Sequence, residues 1–246
     1  MRRRVVVLLG LVGAVAAVMA CLPAIPQDQD YHRFVDRRAW MGVPNAGDVL
    51  SNVAFVIAGV WGSLACARRS FPERAGYVVL FLGVALTGAG SAYYHLAPDD
   101  ERLVWDRLPM TLGFMGLLAA TIAERVGARW GLRLLAPLVI LGIWSVLHWI
   151  AGERVGSGDL RPYIVVQFGS LLGIAGLLAL LPGKYGDTRL LWAGLGGYAL
   201  AKLCESLDGP IFVMSGELVS GHTLKHLCAG AAVGSIVRRI ARMRAG

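Results

Sequence analysis

Apolar residues occur in long runs along this chain, separated by short polar links, and no run carries a polar stripe at helical spacing. A surface helix of a soluble protein keeps one polar face, whereas these runs would be apolar around a whole helix. Each run is close to the length of about 20 residues with which a helix crosses the bilayer core. The pattern predicts eight membrane-spanning helices, at about 5–22, 47–67, 76–96, 107–124, 132–150, 163–181, 189–206 and 218–237.

The first run also has the features of a secretory signal sequence. It starts with basic residues, continues with an apolar middle and reaches small residues before Cys21, and Val-Met-Ala-Cys resembles a lipoprotein-type cleavage site. Because the apolar stretch is long, we expect it to be retained as a helix. Residues 1–22 are therefore predicted to be an N-terminal transmembrane helix or signal sequence. Residues 23–246 are predicted to form a seven-transmembrane-helix bundle, an all-α integral membrane fold.

Composition and charge agree with a membrane protein. Hydrophobic residues make up 56% of the chain and charged residues 16%, whereas about 25% charged is usual in soluble domains. The net charge of +8 does not predict a nucleic-acid partner, because the basic residues lie at the ends of the predicted spans. Basic and acidic links alternate along the chain, and Lys and Arg concentrate on the cytoplasmic side of membrane proteins. Both termini are therefore predicted to be cytoplasmic.

A second pattern is a set of polar residues at the predicted outer ends of four spans. Ionisable and strongly polar groups are costly inside a membrane, so they indicate a function or a specific partner. At a rise of about 1.5 Å per residue, all of them lie within about three turns of one membrane face. This shared depth predicts a site toward the extracytoplasmic side. The residues are Ser51, Asn52, Ser91, His95, Asp106, His222 and His226.

The spacing of the histidines predicts a metal site. His222 and His226 are four residues apart, so both imidazoles would project from one face of a helix. With His95 they make three histidines, and three histidines with one open position are a known catalytic zinc arrangement. Such zinc lowers the pKa of a bound water to about 7, and Asp106 would orient a ligand or accept a proton from that water. The alternative is a pair of histidines hydrogen-bonded inside a bundle.

The segments that carry these residues resemble the alkaline ceramidase family. The resemblance covers roughly residues 30–240, in short motifs that occur in the family's order. They include the opening of the first core helix, a Ser-x3-His element and an Asp-x-Leu-Pro-Met element. This family belongs to a superfamily of seven-span proteins that includes adiponectin-receptor-like proteins. The matching segments are Asn45-Ala-Gly-Asp-Val-Leu-Ser-Asn52, Gly90-Ser91-Ala-Tyr-Tyr-His95, Trp105-Asp106-Arg-Leu-Pro-Met110, Cys204-Glu-Ser-Leu207 and Gly221-His-Thr-Leu-Lys-His226.

The resemblance implies an activity and a role for each site residue. It implies zinc on His95, His222 and His226, with Asp106 acting on the zinc-bound water and Ser91 holding or polarising the reacting carbonyl. The expected protein is a zinc-dependent intramembrane hydrolase that cleaves the amide bond of a ceramide-like membrane lipid to a sphingoid base and a fatty acid. Two alternatives are a hydrolase of another acyl lipid and a non-enzymatic seven-helix sensor or transporter with structural zinc.

One departure from the family pattern concerns calcium. Members that use calcium carry acidic residues before the first core helix and a Glu at its start, where this chain has Asn45. A calcium site here would use Asp28 and Asp30 together with Asn45. The alternative is a solvated acidic loop.

A second departure concerns the substrate. Lys225 stands between the last two histidines, where relatives often have an aromatic residue. It either pairs across the bundle with an acidic residue, Glu205 or Asp208, or lines the substrate cavity. In the second case it would favour a lipid with an anionic group over plain ceramide.

Overall fold

The computed structural model describes residues 2–185 and 188–243, and within these ranges it is helical without a strand. Helix α2 is irregular at Asn52, and α6 contains a π-helical turn at Val165–Gly169. A 3₁₀ turn covers Gln29–His32. The helices are α1 (Arg2–Cys21), α2 (Ala46–Ala67), α3 (Arg74–Leu96), α4 (Asp100–Arg125), α5 (Ala128–Glu153), α6 (Arg161–Leu180), α7 (Arg189–Ser206), α8 (Asp208–Met214) and α9 (Gly221–Arg242).

The all-α prediction is confirmed, and the prediction of membrane spans is confirmed in part. In the described ranges, α2, α3, α5 and α6 are long enough and apolar enough to cross a bilayer, which indicates a membrane protein. Helices α4, α7 and α9 coincide with predicted spans but carry more charged residues for their length, which lowers their hydropathy. That these three helices and α1 also cross the membrane stays a prediction.

Helices α3 and α4 approach each other closely where the predicted site lies. A Cβ atom added at Gly90 of α3 would stand 1.9 Å from the carbonyl oxygen of Trp105 on α4. Only a glycine permits this distance, as is common where transmembrane helices pack. The contact places the two neighbouring residues, Ser91 and Asp106, on facing helix surfaces.

The segment before α2 covers one end of the bundle. The amide N–H of Leu160 donates to the carbonyl of Ile25 at 2.8 Å, and the N–H of Gln27 donates to Glu153 at 2.6 Å. Further along, the imidazole of His32 lies 2.9 Å from the hydroxyl of Tyr94 on α3. The segment is therefore attached to α3, α5 and the loop before α6, and it lies over the end where the predicted site residues converge.

A buried ion-pair network connects helices at the opposite end of the bundle. Arg239 of α9 donates to both carboxylate oxygens of Glu124 on α4, at 2.9 and 2.8 Å, and to the hydroxyl of Tyr77 on α3 at 3.0 Å. The side chains of Arg239 and Glu124 are almost completely buried. Buried charges are stable only when they are paired and hydrogen-bonded, so this network explains how two charged helices pack inside the bundle.

Candidate metal centre

The three predicted histidines come together in the structure. His95 lies in the last turn of α3, and His222 and His226 lie in the first two turns of α9. All three are buried, and one ring nitrogen from each lies within 4.8 Å of the others, a cluster that can hold a metal ion. Two of the histidines come from the four-residue spacing on α9, and the third comes from the end of α3. The sequence prediction of the cluster is confirmed.

The separation of two of the three histidines fits a tetrahedral metal. The Nε2 atoms of His95 and His222 are 3.3 Å apart, and ligand nitrogens about 2.0–2.1 Å from a tetrahedral zinc would be about 3.3 Å apart. The Nε2 atom of His226 is buried and has no hydrogen-bond partner among the described residues. A buried lone pair without a partner is costly, and a metal ion would satisfy it. Imidazole nitrogens suit zinc and several other transition metals.

The start of α9 is fixed by a network of hydroxyl groups around one carboxylate. Ser220 caps the helix by accepting the N–H of Thr223 at 2.9 Å. Both hydroxyls also donate to the same oxygen of Asp48 on α2, at 3.1 Å from Ser220 and 2.9 Å from Thr223. Asp48 is fully buried. The network joins α2 to the turn of α9 that carries the histidines.

The backbone at His222 is fixed by α8 and by the end of α7. The N–H of His222 donates to the Asp208 carboxylate at 2.8 Å. A Cβ atom at Gly221 would lie 2.2 Å from the carbonyl oxygen of Cys204 on α7. This glycine therefore permits α9 to begin directly against α7, which sets the position of the first histidine.

Ser91 and Asp106 form the second part of the site. Both are buried, and the Ser91 hydroxyl is within hydrogen-bonding reach of the Asp106 carboxylate. Together with His226 they line one internal cavity of about 250 Å³. The structure therefore brings both predicted catalytic residues to the same cavity as one predicted metal ligand.

The cavity is polar at the histidine end and apolar beyond it. Its apolar lining extends along α9 from His226 to Ile236, which is about 15 Å of helix. Helices α6 and α7 both line the cavity but contact each other little. The apolar residues that extend away from the site include Leu80, Val84, Leu117, Ile174, Leu191 and Ile236.

An aromatic residue that the sequence analysis did not single out covers the histidines. Phe34, in the segment before α2, is buried with its ring centroid 4.6 Å from that of His95 and 4.7 Å from that of His222. Its ring lies between the histidine cluster and the surface of the protein. A single aromatic residue between Arg33 and Val35 in a loop is a weak signal, and it does not indicate this contact.

The residues of the predicted calcium site each have another partner. Asp28 caps the 3₁₀ turn by accepting the N–H of Asp30 at 2.9 Å, and Asp30 forms an exposed ion pair with Arg33. The side-chain amide of Asn45 donates to the backbone carbonyl of His95 at 2.8 Å. In the described part of the chain, the group of side chains able to hold a metal is that of the three histidines. Calcium binding stays a prediction.

Lys225 both pairs with an acidic residue across the bundle and lines the cavity, the two alternatives predicted for it. Its ammonium group lies 2.7 Å from Glu205 on α7, so the predicted pairing across the bundle is confirmed for that residue. It also lines the cavity beside His226. Asp208, the other predicted partner, instead accepts the N–H of His222.

Comparison of the chain with models of protein families, with curated proteins and with solved structures gives no match. Its own fold and site therefore define its class. Over the residues that the structure describes, it is an all-helical protein with four helices of membrane-spanning length and a buried cluster of three histidines that can hold a metal ion.

Proposed function

We propose that the protein is a zinc-dependent hydrolase of membrane acyl lipids, which cleaves the amide bond of ceramide-like molecules to a sphingoid base and a fatty acid. The motifs that resemble alkaline ceramidases suggest this reaction. The observation that carries the proposal is that His226, Ser91 and Asp106 line the polar end of one largely apolar cavity. The polar end would hold the amide, and the apolar part would hold the acyl chain.

Each residue of the site has a role in this reaction. His95, His222 and His226 would hold the zinc, which would supply a Lewis acid with one open position for the attacking water. Asp106 accepts a proton from the attacking water and returns it to the leaving nitrogen. Ser91 would hold the substrate by donating its one hydroxyl proton to the carbonyl oxygen. The balance is that of hydrolysis, since water supplies one hydroxyl to the acyl carbon and one proton to the nitrogen.

The arrangement in the membrane follows from the same proposal. Helices α1, α4, α7 and α9 would join the four apolar helices as spans, with both termini cytoplasmic and the metal centre toward the extracytoplasmic face. Because α6 and α7 contact each other little while both line the cavity, a lipid would enter between them from the bilayer. A hydrolase buried in this way receives its substrate without transfer through water.

The test is hydrolysis by the purified, zinc-loaded protein in nonionic detergent. Ceramide and a membrane lipid extract are incubated with it, and released fatty acids are measured by mass spectrometry. Release should stop on treatment with a zinc chelator and return when zinc is added. The matched control is His148→Ala, because His148 is exposed on α5 and stacks on Trp144 away from the cluster. A zinc-loaded protein that releases no fatty acid from any of these lipids would contradict the proposal.

A further inference from the structure

Cationic side chains outnumber carboxylates at the polar end of the cavity. Arg107, Lys202 and Lys225 line it together with two carboxylates, Asp106 and Glu205. A cavity that only had to hold a neutral amide and an acyl chain would have no need of buried cations, which are costly without a partner. Two of these cations, Lys225 and Arg107, are not fully neutralised by the carboxylates beside them.

The first position is Lys225. Its ammonium group lies 2.7 Å from Glu205 and 3.2 Å from Nε2 of His222. Lys202 forms an ion pair with the same Glu205 carboxylate. Two ammonium groups therefore share one carboxylate, and one positive charge is left beside the metal-binding nitrogens.

The second position is Arg107, which follows Asp106 on α4. Its Nη2 donates at 2.7 Å to the side-chain oxygen of Gln27, which is neutral. Its Nη1 is buried and has no hydrogen-bond partner among the described residues. The guanidinium group lies over the ring of Trp149 at 4.3 Å and over that of Tyr163 at 5.0 Å. Aromatic faces hold the cation in position, but they leave its Nη1 group without a hydrogen-bond acceptor among the described residues.

Tyr31 connects the two positions. The guanidinium carbon of Arg107 is 5.6 Å from the centroid of the Tyr31 ring. The Tyr31 hydroxyl is 3.5 Å from the same Glu205 oxygen that pairs with Lys225. Because Tyr31, Arg107 and Lys225 all line the cavity, the two cations border the same space close to Tyr31.

We propose that Arg107 and Lys225 form an anion subsite that selects acyl lipids whose head group carries a carboxylate or phosphate. Guanidinium and ammonium groups bind either anion through charge-assisted hydrogen bonds. The catalytic consequence rests on the proposed hydrolase function, whereas the binding itself does not. The substrate class is then an anionic N-acyl lipid, and water cleaves its C–N bond to give a fatty acid and an anionic amine.

The experiment compares two probes that differ at one terminal group, which is anionic in the first and neutral in the second. N-Dodecanoylglycine carries a carboxylate where N-dodecanoylethanolamine carries a hydroxymethyl group, and both have the same chain and amide. Binding to metal-free protein is measured in nonionic detergent, and hydrolysis by the zinc-loaded protein is measured separately. Because charge-assisted hydrogen bonds are among the stronger polar contacts, the wild type should bind the glycine probe about tenfold more tightly or better.

The variants assign that preference to the two cations. Lys225→Gln and Arg107→Gln should each lower the affinity for the glycine probe about tenfold and leave that for the ethanolamine probe unchanged. Unchanged binding of the neutral probe shows that the cavity is still folded. Lys225→Arg should keep the preference because it keeps the charge. The matched control is Arg154→Gln, since Arg154 is exposed in an ion pair with Glu101.

The two proposals fail in different ways. Preference for the glycine probe in a zinc-loaded protein that hydrolyses neither probe and releases no fatty acid from ceramide or the lipid extract supports the subsite and contradicts the hydrolase. Hydrolysis with equal affinity for both probes supports the hydrolase and overturns the subsite. A preference that both charge-removing variants retain also overturns it, because the charge would then be recognised elsewhere.

Discussion

The hydroxyl of Ser51 lies 2.7 Å from Nδ1 of His226 and decides which ring nitrogen of that histidine faces the cluster. The same hydroxyl donates to the carbonyl of Asp48 at 3.1 Å. Since its own proton is used there, the hydroxyl oxygen accepts a hydrogen bond from the N–H at Nδ1 of His226. The lone pair of the imidazole is then on Nε2, the nitrogen that is buried without a partner. Hydrogen bonds of this kind fix the tautomer of metal-binding histidines.

Ser51→Ala should therefore weaken zinc binding about 10- to 100-fold, the usual effect of losing such a partner. Zinc affinity is measured by competition with a chromophoric chelator. Ser63→Ala is the matched control, because Ser63 lies on the same helix more than three turns away. If Ser51→Ala binds zinc as tightly as the wild type, the hydroxyl does not orient His226.

Elemental analysis should find one zinc ion per chain in the purified protein and none in His222→Ala or His226→Ala. Each substitution leaves two histidine ligands, which is too few for a tight zinc site. His148→Ala, which removes an exposed histidine, should keep the metal. Full zinc occupancy in both cluster variants would show that the ion binds elsewhere.

Asp106→Asn should abolish hydrolysis and leave zinc bound. The amide nearly matches the carboxylate in size, so packing at this buried position should survive. The variant loses the group that accepts a proton, and general-base steps contribute about 10²- to 10⁴-fold to the rate. His95→Ala should lose zinc and activity together. Wild-type turnover in Asp106→Asn would show that Asp106 is not the general base. Loss of zinc in this variant would show that Asp106 binds the metal or positions one of its ligands.

Gly90→Ala should destabilise the protein by about 1–3 kcal/mol, the usual cost of overpacking. The new methyl group would stand 1.9 Å from the carbonyl oxygen of Trp105, so α3 and α4 would have to separate. Thermal unfolding in detergent measures the effect. Gly234→Ala is the matched control, because nothing lies within 4 Å of its added Cβ. Equal melting temperatures for both variants would contradict the close approach of the helices.

A membrane-impermeant maleimide should label Val155→Cys on intact cells but not Ser70→Cys. Both positions are exposed in links between helices, and the proposed topology places them on opposite sides of the membrane. Both variants also carry Cys21→Ser, so that the maleimide does not react with Cys21, the exposed native cysteine of the described chain. Both variants should react after the cells are lysed. If only Ser70→Cys is labelled on intact cells, the protein has the opposite orientation in the membrane, with the metal centre on the cytoplasmic side.

The parts of the site that depend on local spacing could be predicted from the sequence. His222 and His226 share a helix face whatever surrounds them, and the apolar runs determine most of the helices. Helix α4 begins at Asp100, ahead of the span predicted at about 107–124, because its charged first turns extend beyond the apolar run. The first of these turns is helical because Asp99 caps it by accepting the N–H of Arg102 at 2.7 Å.

Contacts between distant segments could not be predicted. Phe34 covers His95 only because its loop folds back over the bundle, and nothing in its neighbouring residues indicates this contact. The position of the Arg107 guanidinium depends on a hydrogen bond from its Nη2 to Gln27, eighty residues earlier in the chain. Such pairings are set by tertiary packing, which a hydrophobic pattern does not contain.

The ion pair between Glu124 and Arg239 also acts at a distance. Helices α4 and α9 run in the same direction and carry Asp106 and His222 near their first turns. About 27 Å of helix separates Asp106 from Glu124, and about 26 Å separates His222 from Arg239. Because these lengths nearly match, the ion pair sets the axial register in which the carboxylate and the histidine reach the same depth. A slip of one helical turn, about 5.4 Å, would separate them, so the far end of the bundle determines the alignment of the site.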